Sequence, residues 1–273
     1  MDFNSFPVEI INIMIDYLSN DYDALSKLIQ LKSKIISKRI NDMLKYRKNN
    51  IIENIILDLS NYYKIDGREF IQMMKQNNYY ISGSYLLNMI NTTLFDDDKN
   101  VFVANDIDLY HDGKNTSDEF IKYLQRIGFV HMRNIPSKYD KRFMVMQFGH
   151  KVDEHTDKYT TDKPIQLIYR INHEGIDNII NSFDFSICSN YTDGTKIFVK
   201  DIIGIQNAQI TIINKTACFI HRLVKYISRG YTVKNFDKNM LTKYESCYFL
   251  RQIPKKNNLK SVGINIDGYD DDD

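Results

Sequence analysis

Two neighbouring stretches of sequence decide the fold: ISGSYLLNMI at residues 81–90 and VFVANDIDLY at residues 101–110. A glycine, Gly83, opens the helical apolar pattern of the first stretch, whereas the second has the alternation and branched residues of a strand. Side chains two positions apart in a strand share a face, so Asp106 and Asp108 are predicted to project to the same side. A helix N-terminus attracts anions and paired carboxylates bind Mg²⁺, so the pattern predicts a magnesium-dependent nucleotide site.

Strand and helix patterns alternate on both sides of this motif. Residues 49–78 read as connecting amphipathic helices, and residues 79–82 read as a strand. The helix predicted at residues 116–129 has Ser117 as its N-cap, acids in its first turn and Gly128 at its end. Further strands are predicted at residues 142–150, 164–170, 183–191 and 196–199, and further helices at residues 173–183, 217–231 and 240–252. This order predicts an α+β fold whose main domain is a mixed-sheet α/β unit with a helical C-terminal extension.

Composition and charge narrow the class of protein. The 273 residues are 43% hydrophobic, which is enough for one sizeable core with a smaller appendage and excludes a disordered chain. The 36 basic and 35 acidic residues give a net charge of +1, so no global field indicates nucleic acid or an anionic membrane as partner. Three widely spaced cysteines without metal-ligand spacing, no apolar run of about 20 residues and no basic leader predict an intracellular, cytoplasmic protein outside membranes.

A third acid follows the Asp-x-Asp pair along the chain. Asp184 stands between Phe183 and Phe185, in a stretch that is too apolar to carry an unpaired charge, so it is predicted to be paired or metal-bound. A Gly-Ser pair, then an Asp-x-Asp pair, then an isolated strand acid is an order that resembles the nucleotidyltransferase fold of the DNA polymerase beta superfamily.

The resemblance to the nucleotidyltransferases implies a role for each of these residues. Gly83 would let the backbone approach the triphosphate of an NTP, and Ser84 would donate a hydrogen bond to phosphate. Asp106 and Asp108 would hold one or two Mg²⁺ ions, and Asp184 would complete the metal site and activate the attacking hydroxyl. All three acids are therefore predicted catalytic and metal-binding residues. Many proteins with this fold have no activity, so the resemblance leaves open whether the chain is an enzyme.

A basic helical pattern, HRLVKYISRGY at residues 221–231, follows the predicted sheet. Arg222, Lys225 and Arg229 are three and four residues apart, so a helix would place them on one face. They are predicted to bind the triphosphate or an acidic partner; the alternative is a cationic face in solvent. With PIQLIYR and FDFSICSNY, this pattern resembles a subgroup of nucleotidyltransferase-like proteins of giant DNA viruses, which implies a location in the host cytoplasm.

The N-terminal stretch FPVEIINIMIDYLSNDYDALSKLIQLKSKII, residues 6–36, is apolar at helical intervals. It resembles an F-box, whose apolar edge docks on the small adaptor subunit of a cullin-type ubiquitin ligase. The resemblance implies adaptor contacts through seven residues: Phe6, Pro7, Ile10, Ile13, Leu18, Leu25 and Leu28. It departs from the family after the second helix, where LKSKIISKRI lacks the usual aromatic residue. The alternative is a helical hairpin that packs on the main domain.

The predicted architecture therefore has five parts. They are an F-box-like helical module at residues 1–48, connecting helices at 49–78, a nucleotidyltransferase-like domain at 79–215, a helical extension at 216–263 and an acidic disordered tail at 264–273. One hypothesis is a substrate-recruiting subunit of the ubiquitin ligase. The other is an active Mg²⁺-dependent nucleotidyltransferase, which moves a nucleotidyl group from an NTP to a hydroxyl or a phosphate. The two hypotheses are compatible, and the sequence leaves the acceptor open.

Overall fold

The computed structural model describes most of the chain between residues 50 and 234. The described ranges are 50–95, 102–113, 116–136, 143–151, 159–170, 175–216 and 219–234, with the single positions 15, 18, 21, 24, 25 and 27. Within these ranges, none of the helices is long and apolar enough to cross a membrane.

Helices and strands alternate along the described chain. The helices are α1 at residues 50–63, α2 (Gly67–Gln76), α3 (Gly83–Leu94), α4 (Asp118–Arg126), α5 (Gly175–Asn181), α6 (Ile202–Gln206) and α7 (Phe219–Ile227). The strands are β1 (Tyr79–Ser82), β2 (Ile107–His111), β3 (Phe129–Pro136), β4 (Phe143–Lys151), β5 (Tyr159–Arg170), β6 (Asn190–Thr192), β7 (Ile197–Val199), β8 (Gln209–Ile210) and β9 (Thr232–Val233).

Seven of the described strands form one mostly antiparallel sheet, in the order β3-β4-β5-β2-β1-β6-β7. Strands β2 and β5 are its parallel pair, and the other neighbouring strands run antiparallel. A second sheet pairs β8 with β9 in parallel. The predicted α+β class is therefore confirmed, with a mixed sheet in which antiparallel pairing dominates.

The two faces of the large sheet have different environments. One face is part of the main core, where buried strand residues pack in one cluster with buried residues of α1 to α4: Ile81, Ile107, Leu109, Ile165 and Leu167 on the strands, and Leu59, Phe70, Leu86 and Phe120 on the helices. Because side chains alternate along a strand, Asp108 and Tyr110 project to the opposite face. Helix α5 covers part of that second face through a small cluster of Phe143, Ile168 and Ile179.

Helix α3 begins directly after β1, and three contacts hold its first turn. The Ser82 hydroxyl donates to the Asn190 carbonyl oxygen at 2.5 Å and does not cap the helix. The Tyr85 hydroxyl donates to Asp58 Oδ2 at 2.7 Å, and Lys163 Nζ binds the same oxygen at 2.7 Å. The turn from β1 into α3 is therefore fixed against β6, α1 and β5.

Local signals around the motif are confirmed. Strand β1 and the start of α3 at Gly83 lie where they were predicted. Ser117 caps α4 by accepting a hydrogen bond from the Phe120 N–H, and Gly128 ends the following turn with φ of +94°. These features depend on short-range hydrogen bonds and on backbone conformation, which neighbouring residues determine.

Two strand predictions were wrong in extent. The strand predicted at residues 101–110 begins at Ile107, so Asp106 lies one residue before it. The strand predicted at residues 183–191 is mostly irregular: Phe185 forms an isolated antiparallel bridge with Ile212, a 3₁₀ turn spans Ser186–Cys188, and the strand β6 begins only at Asn190. The Ser189 hydroxyl donates to the Phe185 carbonyl and the Asn190 side chain donates to the Ile187 carbonyl, so side chains take backbone groups that a ladder would use.

The thiol of Cys188 is expected to be unreactive in the folded protein. Cys188 is buried, and burial raises the pKa of its thiol from 9.0 to about 11, although a hydrogen bond with Tyr226 opposes the shift. Only the thiolate reacts, so at pH 8 a rise of this size lowers the reactive fraction about 100-fold.

We expect iodoacetamide to label Cys188 about 100-fold more slowly in native protein than in urea, measured by mass spectrometry with Cys218 and Cys247 changed to Ser. The native rate should increase about tenfold per pH unit up to about pH 11. Equal rates in native protein and in urea would contradict this expectation.

Candidate functional site

The Gly83 turn and the Asp108 carboxylate lie in direct contact. Ser82 and Asp108 are register partners in the antiparallel pair β1–β2, so Asp108 lies beside the residue that precedes the turn. Gly83 has φ of +72°, and a Cβ atom at this position would lie 2.7 Å from Asp108 Oδ2. A side chain at position 83 would therefore collide with the carboxylate, and the backbone conformation itself favours glycine. The next residue, Ser84, is buried in the first turn of α3.

Asp106 and Asp108 form a pair of neighbouring acids at the start of β2. The Gln166 side chain donates from Nε2 to Asp106 Oδ2 at 3.1 Å, and Gln166 is the register partner of Asp108 on β5. Burial and then the negative charge of Asp106 raise the pKa of Asp108 well above its usual range, while Lys225 lowers it. The like charges of two neighbouring carboxylates repel each other. A divalent cation such as Mg²⁺ bound between them would remove that repulsion.

Two basic residues at the C-terminal end of α7 interact electrostatically with this pair of acids. Lys225 is exposed on α7, and its charge acts on Asp108. Arg229 follows the helix, with its guanidinium 3.9 Å from the centre of the Phe102 ring. Burial lowers the pKa of Arg229, and the neighbouring ionisable groups, Tyr226 and Cys188 ahead of Asp106, oppose the shift. Among the described residues, Arg229 Nη1 is one of three buried side-chain atoms without a hydrogen-bond partner, so it has an unused donor near the acids.

Asp184 and Arg222 form a largely buried ion pair. The Asp184 side chain is 1% exposed, and Arg222 Nε donates to its Oδ2 at 2.6 Å. The Thr216 backbone N–H donates to Asp184 Oδ1 at 3.0 Å, and the Thr216 hydroxyl contacts Oδ2. This pair joins the segment before β6 to α7, so it orients the helix that carries Lys225.

The three predicted acids are not gathered into one cluster. Within the part of the chain that the structure describes, no group of three His, Cys, Asp or Glu side chains could hold a metal ion. Asp108 lies at the Gly83 turn and Asp106 is close enough for its charge to act on Asp108, whereas Asp184 is paired with Arg222. Of the three predicted basic residues, Lys225 acts on Asp108 and Arg229 interacts with Asp106 through their charges, and Arg222 binds Asp184.

Two residues near the acids were missed by the sequence analysis. Gln166 binds Asp106, and Phe102 lies under the Arg229 guanidinium. Gln166 had a usable signal, because it is the single polar residue between apolar neighbours in PIQLIYR. No signal in the sequence pointed to Phe102, because its partner, Arg229, is far away along the chain.

The predicted adaptor-binding residues lie mostly outside the described residues. Five of them lie outside the described residues, as do the predicted helix at 240–252 and the tail at 264–273: Phe6, Pro7, Ile10, Ile13 and Leu28. Leu18 is half-buried, and Leu25 is 1% exposed. The F-box-like module therefore stays a prediction.

The fold and site define a mixed α+β protein in which a glycine turn and two acids lie together at one face of a mostly antiparallel sheet. A family model described as "Gabija anti-defense 2 family protein" matches residues 33–203. The chain belongs to the Gabija anti-defense 2 family.

Curated proteins and solved structures say less about this chain than the family model does. No curated protein matches the chain at a significant level. Among solved structures, the chain is similar to the Thermotoga maritima CCA-adding enzyme complexed with tRNA, with a TM-score of 0.47 and 12% sequence identity, over 79% of this chain and 48% of that chain. The chain therefore spans about half the length of that enzyme.

Proposed function

We propose that this chain binds an NTP with Mg²⁺ through a nucleotidyltransferase-like site at Gly83, Asp106 and Asp108, and that it transfers a nucleotidyl group as part of an anti-defence role against Gabija. The observation that carries the proposal is the contact between the Gly83 turn and Asp108, because it places a carboxylate at the N-terminus of α3. A helix N-terminus favours phosphate, and acids beside it would repel phosphate unless a cation lies between them.

The residues present fit a divalent cation. Asp106 and Asp108 supply carboxylate oxygens, the ligands that Mg²⁺ prefers. Burial first and the charge of Asp106 second raise the pKa of Asp108, and a cation bound there would favour its ionised form. Mg²⁺ held by these two residues would supply charge neutralisation for the triphosphate. The Ser82 hydroxyl is engaged by Asn190, so the first N–H groups of α3 have no side-chain cap from Ser82.

The basic residues at the end of α7 would offset the negative charge of the triphosphate that Mg²⁺ does not neutralise. The charges of Lys225 and Arg229 act on the acids, and Arg229 holds a buried donor without a hydrogen-bond partner among the described residues. The pair of Asp184 and Arg222 would then act as a support that holds α7 in place. In this proposal Asp184 is a positioning residue, and the two acids of the β2 motif are the metal-binding ones.

Substituting either acid tests the proposed site. Asp106→Asn and Asp108→Asn keep the side-chain size but remove the charge, so we expect each to weaken Mg²⁺-dependent NTP binding at least about tenfold, measured by titration calorimetry. Asp118→Asn is the matched control, because Asp118 is an exposed acid in the first turn of α4, near the opposite end of β1. NTP binding that is equal in wild type and both site variants would refute the proposed site.

The anti-defence role needs a separate measurement in cells. Wild-type protein and the Asp106→Asn variant are compared in cells that carry the Gabija defence, with expression matched by immunoblot. We expect the wild type to suppress the defence and Asp106→Asn to lose that effect. Suppression by both proteins would show that the site is not required for the role.

A further inference from the structure

The residues that flank Asp108 on the second face of the sheet are neutral. Strand β2 has two neighbours, and the register partners of Asp108 are Ser82 on β1 and Gln166 on β5. The Ser82 hydroxyl is held by the Asn190 carbonyl oxygen, and the Gln166 amide donates to Asp106. Neither side chain can accept a proton from a substrate at neutral pH.

A general base must lie within hydrogen-bond reach of the proton that it removes. The two acids at the start of β2 are assigned to the cation in the proposed site. Asp184 is paired with Arg222 and accepts hydrogen bonds from Thr216, so its lone pairs are already engaged. Within the described part of the chain, no third carboxylate joins the Asp106 and Asp108 pair. The described site therefore offers binding groups for an NTP but no group that deprotonates an acceptor.

The same face continues away from the acids as a row of amides that ends in a cation. Gln166 on β5 is the register partner of Gln147 on β4, and Gln147 is the register partner of Arg133 on β3. Arg133 Nε donates to Gln147 Oε1 at 2.8 Å, and Arg133 is exposed. Neighbouring strands are about 4.8 Å apart, so Arg133 lies about 14 Å from Asp108 across the sheet. Beside Asp108, this row presents hydrogen-bond donors and one positive charge.

We propose that the acceptor of the nucleotidyl group is a phosphate monoester, whose attacking oxygen arrives already ionised, and not a hydroxyl that the protein must deprotonate. The inference rests on the proposed function. A phosphate monoester loses its second proton near pH 6. A tyrosine hydroxyl loses its only proton near pH 10, and an alkyl hydroxyl keeps its proton at neutral pH. At pH 7.5 only the phosphate has its nucleophile fully formed without a base.

The chemical step balances without a proton transfer to the protein. An oxygen of the phosphate monoester attacks the α-phosphorus of the NTP and forms a new P–O bond. The bond between the α-phosphorus and the bridging oxygen breaks, and pyrophosphate leaves with the electron pair. The product carries a P–O–P bridge between the acceptor and the nucleotide. The positive charges of Lys225 and Arg229, which interact with Asp108 and Asp106, would offset part of the negative charge that meets in this step.

A matched set of acceptors tests the inference. N-acetylphosphoserinamide, N-acetylserinamide and N-acetyltyrosinamide are each incubated with wild-type protein, Mg²⁺ and α-labelled NTPs at pH 7.5, and labelled products are resolved by chromatography. We expect transfer to the phosphate acceptor to exceed transfer to either hydroxyl acceptor at least tenfold. Calorimetry gives a second readout, in which the phosphate acceptor binds more tightly than N-acetylserinamide in the presence of a non-hydrolysable NTP analogue.

The Gln166→Glu variant tests the reason for the preference. It places a carboxylate of the same length beside Asp108, so we expect transfer to N-acetylserinamide to rise at least tenfold and transfer to the phosphate acceptor to fall. The Gln147→Glu control adds the same charge one strand further away, next to Arg133, and should not raise transfer to the hydroxyl.

The outcomes separate this inference from the proposed function. Preferred transfer to serine or tyrosine hydroxyls by the wild type overturns the inference, as does the absence of transfer to all three acceptors in protein that binds NTP. An acceptor preference that Gln166→Glu does not change also overturns it. Each of these results is compatible with an NTP site whose binding is lost in Asp106→Asn. A wild type that binds no NTP would instead refute the proposed function itself.

Discussion

Replacing Arg222 by methionine is expected to lower the free energy of unfolding by about 3 kcal/mol, because it leaves the Asp184 charge buried without its cation. The Asp184 side chain is 1% exposed, so water replaces the lost partner at the carboxylate poorly. Thr216 still donates to Asp184, which keeps the expected loss at the lower end of the range for broken buried pairs. Urea denaturation followed by circular dichroism measures the effect.

The matched control is another Arg–carboxylate pair at the surface. Arg126 Nη2 lies 2.8 Å from Glu69 Oε1, but both side chains are well exposed, at 66% and 45%. Arg126→Met should therefore cost less than about 1 kcal/mol. In the double variant Arg222→Met with Asp184→Asn, the uncompensated charge is removed, so we expect part of the stability to return. A loss in Arg222→Met as small as in Arg126→Met would contradict a buried structural role for the pair.

The second large effect is expected from Gly83→Ala. The new Cβ atom would lie 2.7 Å from Asp108 Oδ2, so the carboxylate must move away from the turn, and the residue would keep φ of +72°. The strained backbone costs about 1–2 kcal/mol of stability, while displacement of Asp108 acts on the site. We expect Mg²⁺-dependent NTP binding to weaken about 100-fold, equivalent to about 2.7 kcal/mol, measured by titration calorimetry.

Gly128→Ala separates backbone strain from the effect on the site. Gly128 also has a positive φ, of +94°, but a Cβ atom there would meet His150 Nε2 at the ordinary distance of 3.4 Å, and the residue lies between α4 and β3. We expect Gly128→Ala to lose a comparable stability and to bind NTP like the wild type. If both alanine variants bind NTP equally well, the Gly83 turn is not part of a nucleotide site.

Much of the motif could be predicted because its signals are local. The apolar run of YYIS, the glycine at position 83 and the Ser117 cap each act through residues within one turn or one strand, so their effect does not depend on the rest of the fold. The same holds for the acids of β2, which are two residues apart along the chain. Short-range geometry therefore predicted where α3 begins and which two acids lie near it.

The contacts of Asp184 could not be predicted in the same way. The sequence showed that an acid between two phenylalanines must be paired or metal-bound, and the structure provides the pairing, with Arg222, which lies 38 residues further along the chain. The choice between a metal and an arginine depends on how α7 packs against the segment before β6. That packing is a property of the whole fold, since residues far apart in sequence supply both surfaces.

The sequence by itself determined the elements at the centre of the protein, namely β1, the glycine turn, α3, Asp108 on β2 and Asp106 one residue before that strand, because hydrogen bonding and side-chain alternation act over a few residues. Only the tertiary structure decided what lies beside those acids. The parallel pairing of β2 with β5 makes Gln166 the neighbour of Asp108, and the end of α7 brings the charges of Lys225 and Arg229 close enough to act on the pair. Strand order and helix packing are set by the burial of apolar faces across the whole core, and no short stretch of sequence contains that information.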